Sequence, residues 1–208
     1  MDNAPQRTVS VRFPKAAGSS LKSQFEALLG DQVLFDYGHD PLVAEDRQAV
    51  AFPAGKQVVH GHFHPSRYAS TEGYWLTFLR HPVDNLFSIY FFWIDLPEPG
   101  HGVHARFLRE RPSMLEFAAY PGISTLMSET YFGGFDMGRF DLVGFHETRA
   151  ADLGRLRADL GLPLTDEIYE NRTADTTERQ EMKADRVLRR RIADLLAADM
   201  AFYDRLRR

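Results

Sequence analysis

The sequence predicts an α/β fold with a central, mainly parallel sheet flanked by helices. Apolar runs that lack the alternation of a half-exposed strand, such as residues 74–80, are typical of strands buried on both faces of a parallel sheet. These runs alternate along the chain with segments of helical periodicity, which is the pattern of α/β proteins. The 208 residues, 44% of them hydrophobic, are enough for one domain with a full core.

The first elements are a strand, a short loop and a helix. Residues 8–13 are rich in β-branched side chains, and Pro14 ends the strand because proline cannot donate to a central ladder. A loop of small residues follows, and apolar side chains then recur at helical spacing over residues 21–29. Gly30 is a typical helix stop. The loop between strand and helix is large enough to hold a phosphate.

The later elements continue the alternation. Pro82 fits the first turn of a helix, so a helix is predicted at 83–93 after the strand at 74–80. The other predicted strands are 33–35, 57–63 and 140–145, and the other predicted helices are 114–119, 123–131, 147–160 and one or two over 178–207. Residues 97–112, which include three prolines, are predicted to be irregular. A single domain spanning residues 1–208 is expected, with a loop or lid around residues 93–113.

The composition excludes several classes of function. The chain has no cysteine, which rules out disulfides, cysteine-ligated metals and thiol nucleophiles. A net charge of -4 gives no reason to expect nucleic acid or an acidic membrane as a partner. The first residues lack the features of a signal peptide, and no apolar run is long enough for stable membrane insertion. A cytoplasmic protein is therefore expected, while the oligomeric state stays open.

The loop at residues 14–20 has the features of an anion site. A loop that enters a helix faces the unpaired N–H groups and the positive dipole end of that helix. Lys15 adds a charge, Gly18 allows close backbone approach, and Ser19 and Ser20 offer hydroxyls. The Gly-Lys-Ser/Thr ending of nucleoside-triphosphate loops is absent. The alternative interpretation is an ordinary capped turn with a surface lysine.

A second candidate anion site follows the strand at 74–80. Arg80 ends that strand, and an arginine can bind a phosphate with two parallel hydrogen bonds. Ser88 lies on the helix that follows and could donate its hydroxyl to the same group. The alternatives are a surface arginine and a serine bonded to its own helix backbone.

Three histidines alternate at positions 60, 62 and 64. Alternate residues of a strand share a face, so His60, His62 and His64 could point the same way if the strand continues through them. One of them could act as a general base, because imidazole titrates near neutrality. Three imidazoles are also plausible zinc ligands, and histidines with a purely structural role are the third interpretation.

Taken together, these segments resemble a known family. The order of Pro-Lys-x-x-Gly-Ser-Ser at 14–20, Gly-His at 61–62 and Leu-Arg-His-Pro-Val-Asp-Asn-Leu-Phe-Ser-Ile-Tyr at 79–90 is similar to that of carbohydrate sulfotransferases of the heparan 2-O-sulfotransferase-like group and their bacterial relatives. Residues 140–147 and 170–173 also resemble later segments of that family. One departure is His81, which stands where the family commonly has aspartate.

The resemblance implies a P-loop-like sulfotransferase fold and a nucleotide co-substrate. The co-substrate would be 3′-phosphoadenosine-5′-phosphosulfate (PAPS), and the product 3′-phosphoadenosine-5′-phosphate (PAP). The loop would hold the 5′-phosphosulfate, Arg80 and Ser88 the 3′-phosphate, and Arg172 the nucleotide or the acceptor. The implied cofactor-binding residues are Lys15, Ala17, Gly18, Ser19, Ser20, Arg80, Ser88 and Arg172.

The implied reaction is an in-line sulfuryl transfer that uses positioning and charge stabilisation and no metal. Lys15 would stabilise the leaving group, His62 would accept the proton of the acceptor hydroxyl, and His60 would assist, with His64 as a third possible base. The acceptor is expected to be a small molecule, a lipid or a glycoconjugate, recognised by the loop around 93–113. The alternatives are a nucleotide kinase or NTPase-like phosphotransferase, a non-catalytic nucleotide-binding module and a zinc hydrolase.

Overall fold

The computed structural model describes residues 6–16, 18–38, 41, 47–97, 102–166 and 176–208. The chain divides into two compact units. The first comprises Met1–Arg80 and Glu129–Glu170, and the second comprises His81–Ser128 and Asn171–Arg208.

The first unit is built on a five-stranded sheet with the order β2-β3-β1-β4-β5. The strands are β1 (Thr8–Val11), β2 (Val33–Asp36), β3 (Val58–Gly61), β4 (Tyr74–Leu79) and β5 (Leu142–Phe145). All four pairs of neighbouring strands in the described residues are parallel. The α/β fold with a mainly parallel central sheet is therefore confirmed, and each predicted strand is present: β2 is one residue longer than predicted and the other four are slightly shorter.

Strand β1 lies at the centre of the sheet, and its residues explain why. All four of its residues, like all six of β4, are buried, and Val9 lies opposite Val59 of β3 and Trp75 of β4. Because parallel strands all end at the same edge, the residues that follow β1, β3 and β4 are brought to one edge of the sheet. Those residues include Lys15, His62 and Arg80.

The helices are α1 (Gly18–Leu29), α2 (Pro82–Asp95), α3 (Gly102–Glu110), α4 (Met114–Ala118), α5 (Arg149–Leu160), α6 (Thr177–Ala184), α7 (Arg186–Leu195) and α8 (Ala197–Leu206). Helix α1 packs near β2 and α5 near β5. Helix α5 ends at Gly161, whose φ of 64° is the left-handed conformation that glycine adopts readily. A π-helix spans Leu126–Tyr131. Among the helices in the described ranges, none combines the length and apolar character needed to span a bilayer.

The predicted irregular segment at 97–112 is wrong for residues 102–110, which form α3. His104 and Phe107 are buried one turn apart in the second unit. The His104 Nε2 lies 3.2 Å from the carbonyl oxygen of Trp93, and the Trp93 and Phe107 rings lie 5.5 Å apart. This packing orders the helix despite the prolines on both sides. A role of residues 93–113 in acceptor recognition stays a prediction.

The closing segment of the chain contains three helices where one or two were predicted. The break between α6 and α7 is at Asp185, whose carboxylate accepts hydrogen bonds from the backbone N–H groups of Val187 and Leu188. Such an N-cap starts a new helix because it satisfies donors that have no partner within the helix. In the same unit, the buried carboxylate of Asp199 accepts from the backbone N–H groups of Met127 and Ser128.

The three alternate histidines do not form one strand face, so that prediction is wrong. Strand β3 ends at Gly61, where an added Cβ would lie 1.8 Å from the backbone oxygen of Asp36 in β2. The neighbouring strands approach so closely here that only glycine fits. His60 therefore belongs to the strand, whereas His62 and His64 lie in the segment that follows it.

Candidate anion and proton-transfer site

The loop after β1 contains a residue in an unusual conformation. Lys15 has a φ of 56°, in the left-handed region that residues other than glycine rarely adopt. This conformation costs about 1–2 kcal/mol. Phe13, only 2% exposed, anchors the chain just before it. Strain of this kind persists where the surrounding structure holds it, and it is concentrated at functional sites.

Three cationic side chains influence one another at this loop. The Arg80 guanidinium donates to the carbonyl oxygen of Lys15 at 3.4 Å. Burial lowers the pKa of the Lys15 amine below its usual value, and the charges of Arg80 and Arg12 lower this pKa further. Lys15 lies three residues before α1 begins at Gly18, and the start of a helix adds positive potential. The loop is therefore strongly favourable for an anion.

The structure brings Arg149 to the same helix start, although no sequence feature indicated it. Arg149, the first residue of α5, is 9% exposed. Its Nη2 donates to the Oγ of Ser20 at 2.7 Å, and the amide of Gln24 donates to the same oxygen at 3.1 Å. Ser20 thus links α1 to α5, and its hydroxyl oxygen accepts both of these hydrogen bonds.

The structure describes only some of the remaining predicted cofactor-binding residues, and these belong to two different units. Ala17 and Arg172, with the family-like segment 170–173, lie outside the described residues, and Gly18 and Ser19 are placed as the first residues of α1. Ser88 is half-buried on α2 and belongs to the second unit, while Arg80 belongs to the first. The structure therefore brings together Lys15 and Arg80, and the role of Ser88 stays a prediction.

His60 is completely buried in the first unit. Its Nδ1 lies 2.8 Å from the Oγ of Ser10. The rings of Phe25 and Phe35 pack edge-on to it, with centroids at 5.7 and 6.3 Å. A cavity lined by Ser10, His60 and Ala16, among others, connects this histidine with the residues of the Lys15 loop.

His62 is half-exposed and lies among polar aromatic side chains. Its Nδ1 is 3.1 Å from the hydroxyl oxygen of Tyr131, and its ring centroid is 5.5 Å from that of Tyr37. The hydroxyl of Tyr37 in turn accepts a hydrogen bond of 3.0 Å from Arg12. Of the three histidines, this is the one that is accessible from solvent, because His60 and His64 are buried.

His64 is 4% exposed and uses both ring nitrogens within the protein. Its Nδ1 accepts from the backbone N–H of Ser66 at 3.2 Å, and its Nε2 lies 3.1 Å from the carbonyl oxygen of Gly133. Burial lowers the pKa of His64 to about 4, with a further contribution from the charge of Arg47. A histidine that is neutral and doubly bonded in this way has a structural role.

Sequence reasoning missed Arg12, Tyr37, Tyr131 and Arg149. No group of three histidine or acidic side chains within the described ranges is placed to bind one metal ion.

The second unit contains a polar pair of its own, in which Arg189 donates to Asp84 at 2.8 Å.

The fold is similar to two solved structures of sulfotransferases. One is a sulfotransferase from Alicyclobacillus acidocaldarius, at 12% sequence identity and a TM-score of 0.46, with 95% of this chain and 97% of that chain covered. The other is mouse sulfotransferase SULT7A1 complexed with PAP, at 15% identity and a TM-score of 0.41, with 95% and 65% covered. No protein-family model and no curated protein sequence matches the chain.

Proposed function

We propose that the protein is a sulfotransferase that moves a sulfuryl group from PAPS to an acceptor hydroxyl. The observation that carries the proposal is the convergence of Lys15, Arg80 and Arg12 on the loop between the central strand and α1. This loop is where the 5′-phosphosulfate of the donor would bind, because it combines three cations with a helix start. The resemblance of residues 14–20 and 79–90 to sulfotransferase segments agrees with this assignment.

In the proposed reaction, the acceptor oxygen forms a bond to sulfur while the bond between sulfur and the 5′-phosphate oxygen breaks. PAP leaves with the electron pair of that bond. The Lys15 amine is half-buried, and a charge in such a place interacts more strongly with a developing anion than it would in water. Lys15 therefore stabilises the leaving oxygen, and Arg80 contributes to holding the nucleotide.

The proton of the acceptor hydroxyl passes to His62 in this proposal. His62 is half-exposed, whereas His60 is completely buried and His64 uses both nitrogens within the protein. A general base must reach the proton that it removes, so accessibility favours His62 over the other two. His60, bonded to Ser10 behind the loop, would assist by supporting the surrounding packing. Ser88, Arg172 and the residues 17–19 keep their predicted contacts with the donor.

The test is donor binding followed by donor turnover. PAP at about 100 times its Kd is expected to stabilise the protein by about 2.7 kcal/mol, read as a rise in melting temperature. PAPS and a library of small hydroxyl acceptors, lipids and glycoconjugates then report transfer. The variant Lys15→Ala is expected to lose most of the transfer rate at saturating donor. The matched control is Lys56→Ala. Lys56 lies just before β3, and its amine donates to the carbonyl oxygen of Asp31, so this variant also removes one lysine.

Three outcomes would contradict the proposal. Stabilisation by ATP with Mg²⁺ and none by PAP would identify a phosphotransferase. Binding of PAP without transfer to any acceptor would identify a nucleotide-binding module. Equal transfer rates in Lys15→Ala and Lys56→Ala would remove Lys15 from the reaction.

A further inference from the structure

The segment after β3 is joined to the segment 129–133 by two side-chain contacts. The hydroxyl of Tyr131 lies 3.1 Å from Nδ1 of His62, and the carbonyl oxygen of Gly133 lies 3.1 Å from Nε2 of His64. Both contacts are within the first unit. Because they follow one another at a two-residue spacing on both segments, they fix the position of one segment against the other.

The His64 contact has a defined direction. The backbone N–H of Ser66 can only donate, so Nδ1 of His64 is an acceptor and its hydrogen is on Nε2. That hydrogen is donated to the carbonyl of Gly133. A second clamp comes from Arg47, whose guanidinium donates to the carbonyl oxygens of Glu129 and Thr130 at 3.3 and 3.2 Å. The backbone on both sides of Tyr131 is therefore held in place.

The ring of Tyr131 is also fixed. It is 6% exposed and packs edge-on against Phe13, with the ring centroids 5.1 Å apart. Phe13 belongs to the loop that carries Lys15. Tyr131 is also the last residue of the π-helix Leu126–Tyr131, an element found frequently at functional sites. The hydroxyl that faces His62 therefore has little freedom to move away.

We propose that Tyr131 is a positioning residue that sets the tautomer of His62. Its hydroxyl oxygen accepts the hydrogen of Nδ1, and this leaves the lone pair of the neutral imidazole on Nε2, the nitrogen that then takes the acceptor proton. The same contact stabilises the imidazolium that forms, since the cation also donates from Nδ1. If the tyrosine donated to Nδ1 instead, Nε2 would carry the hydrogen and could not act as a base. The role of His62 in this inference rests on the proposed sulfotransferase function.

The direct experiment measures the tautomer of His62 by ¹⁵N NMR of the full chain at a pH where the imidazole is neutral. We expect the hydrogen on Nδ1 in the wild-type protein. The variant Tyr131→Phe keeps the ring against Phe13 and removes only the hydroxyl, so the Nδ1–H population is expected to fall. The matched control is Tyr37→Phe, whose ring lies against the same histidine while its hydroxyl bonds to Arg12. That variant is expected to keep the Nδ1–H tautomer.

Enzyme kinetics supply a second measurement. A purely structural role of Tyr131 would not change the pH dependence of kcat. In Tyr131→Phe we expect kcat to fall about 10–100-fold, with the affinity for PAP unchanged. The acid limb of the kcat–pH profile is expected to move to lower pH, because loss of an acceptor for Nδ1–H lowers the pKa of His62. The acid limb of Tyr37→Phe is expected to stay in place.

A hydrogen on Nε2 in the wild-type protein would overturn the inference, as would an unchanged tautomer and acid limb in Tyr131→Phe. Failure of the sulfotransferase proposal would look different: PAP would not bind to the wild-type protein, or no acceptor would be sulfated. The NMR measurement does not depend on donor or acceptor, so it decides the placement of the hydrogen in either case.

Discussion

Protonation of His64 is expected to destabilise the first unit as the pH falls. The neutral ring accepts from the Ser66 N–H through Nδ1 and donates to the Gly133 carbonyl through Nε2. Adding a proton to Nδ1 breaks the first of these bonds and places a charge beside Arg47. Burial of the ring lowers the pKa of His64 in the folded protein to about 4, and the charge of Arg47 contributes to this lowering.

The size and direction of the effect follow from this shift. The unfolded histidine titrates near 6.5, so the folded pKa lies about 2.5 units lower. The unfolded chain binds the proton first as the pH falls, and stability is lost from about pH 6.5 down to about pH 4. At about 1.4 kcal/mol for each unit, the full loss is about 3.5 kcal/mol, and about 2 kcal/mol of it is present at pH 5.

The assay compares the wild-type protein with His64→Gln in urea unfolding at pH 7.5 and pH 5, followed by tryptophan fluorescence. Trp75 is fully buried in the same unit, and glutamine has no proton to gain in this range. The wild-type protein is expected to lose about 2 kcal/mol more than the variant between the two pH values. The seven other histidines contribute equally to both proteins and cancel. An equal loss in both would refute the reasoning.

Two further predictions concern the anion site and the sheet. Arg80→Ala is expected to weaken PAP binding about 10–100-fold, because a hydrogen bond to a charged group contributes about 1.5–3 kcal/mol. Arg80→Lys is expected to restore only part of this affinity. Unchanged affinity of Arg80→Ala in calorimetry would remove Arg80 from the site. Gly61→Ala is expected to lower the free energy of unfolding by about 1–3 kcal/mol, since its Cβ would meet a backbone oxygen of β2. Its control, Gly154→Ala, has open space around the added Cβ, and equal stability of the two variants would contradict the close approach.

The parts of the fold that the sequence could predict are those with a local signal. Strand β4 is buried on both faces, so its composition alone marks it as a central parallel strand. The glycine stop at Gly161 and the proline at the start of α2 work in the same way. Helix α3 was missed because the prolines and glycines around it dominate the composition, although His104 and Phe107 already stood one turn apart.

The candidate site could be predicted only in part, for a physical reason. Lys15 and Arg80 are marked by their positions directly after strands, and parallel strands deliver such residues to one edge. Tyr131 is 69 positions from His62, and nothing in the local sequence says that these segments meet. The prediction of one histidine face was wrong because the alternate spacing of the histidines continues past Gly61, where β3 ends. The local sequence does not show that the strand stops there.

The strand order adds an argument that neither motif carries alone. His62 follows β3, Lys15 follows β1 and Arg80 follows β4, and these strands are neighbours in that order. Adjacent strands are about 4.8 Å apart, so the base and the arginine follow strands about 10 Å apart, with the Lys15 loop between them. An in-line transfer needs the attacking and leaving oxygens on opposite sides of sulfur. In the proposed reaction, the Lys15 loop follows the strand between the one that leads to the base and the one that leads to Arg80, which agrees with an acceptor near His62 and a nucleotide held by Lys15 and Arg80.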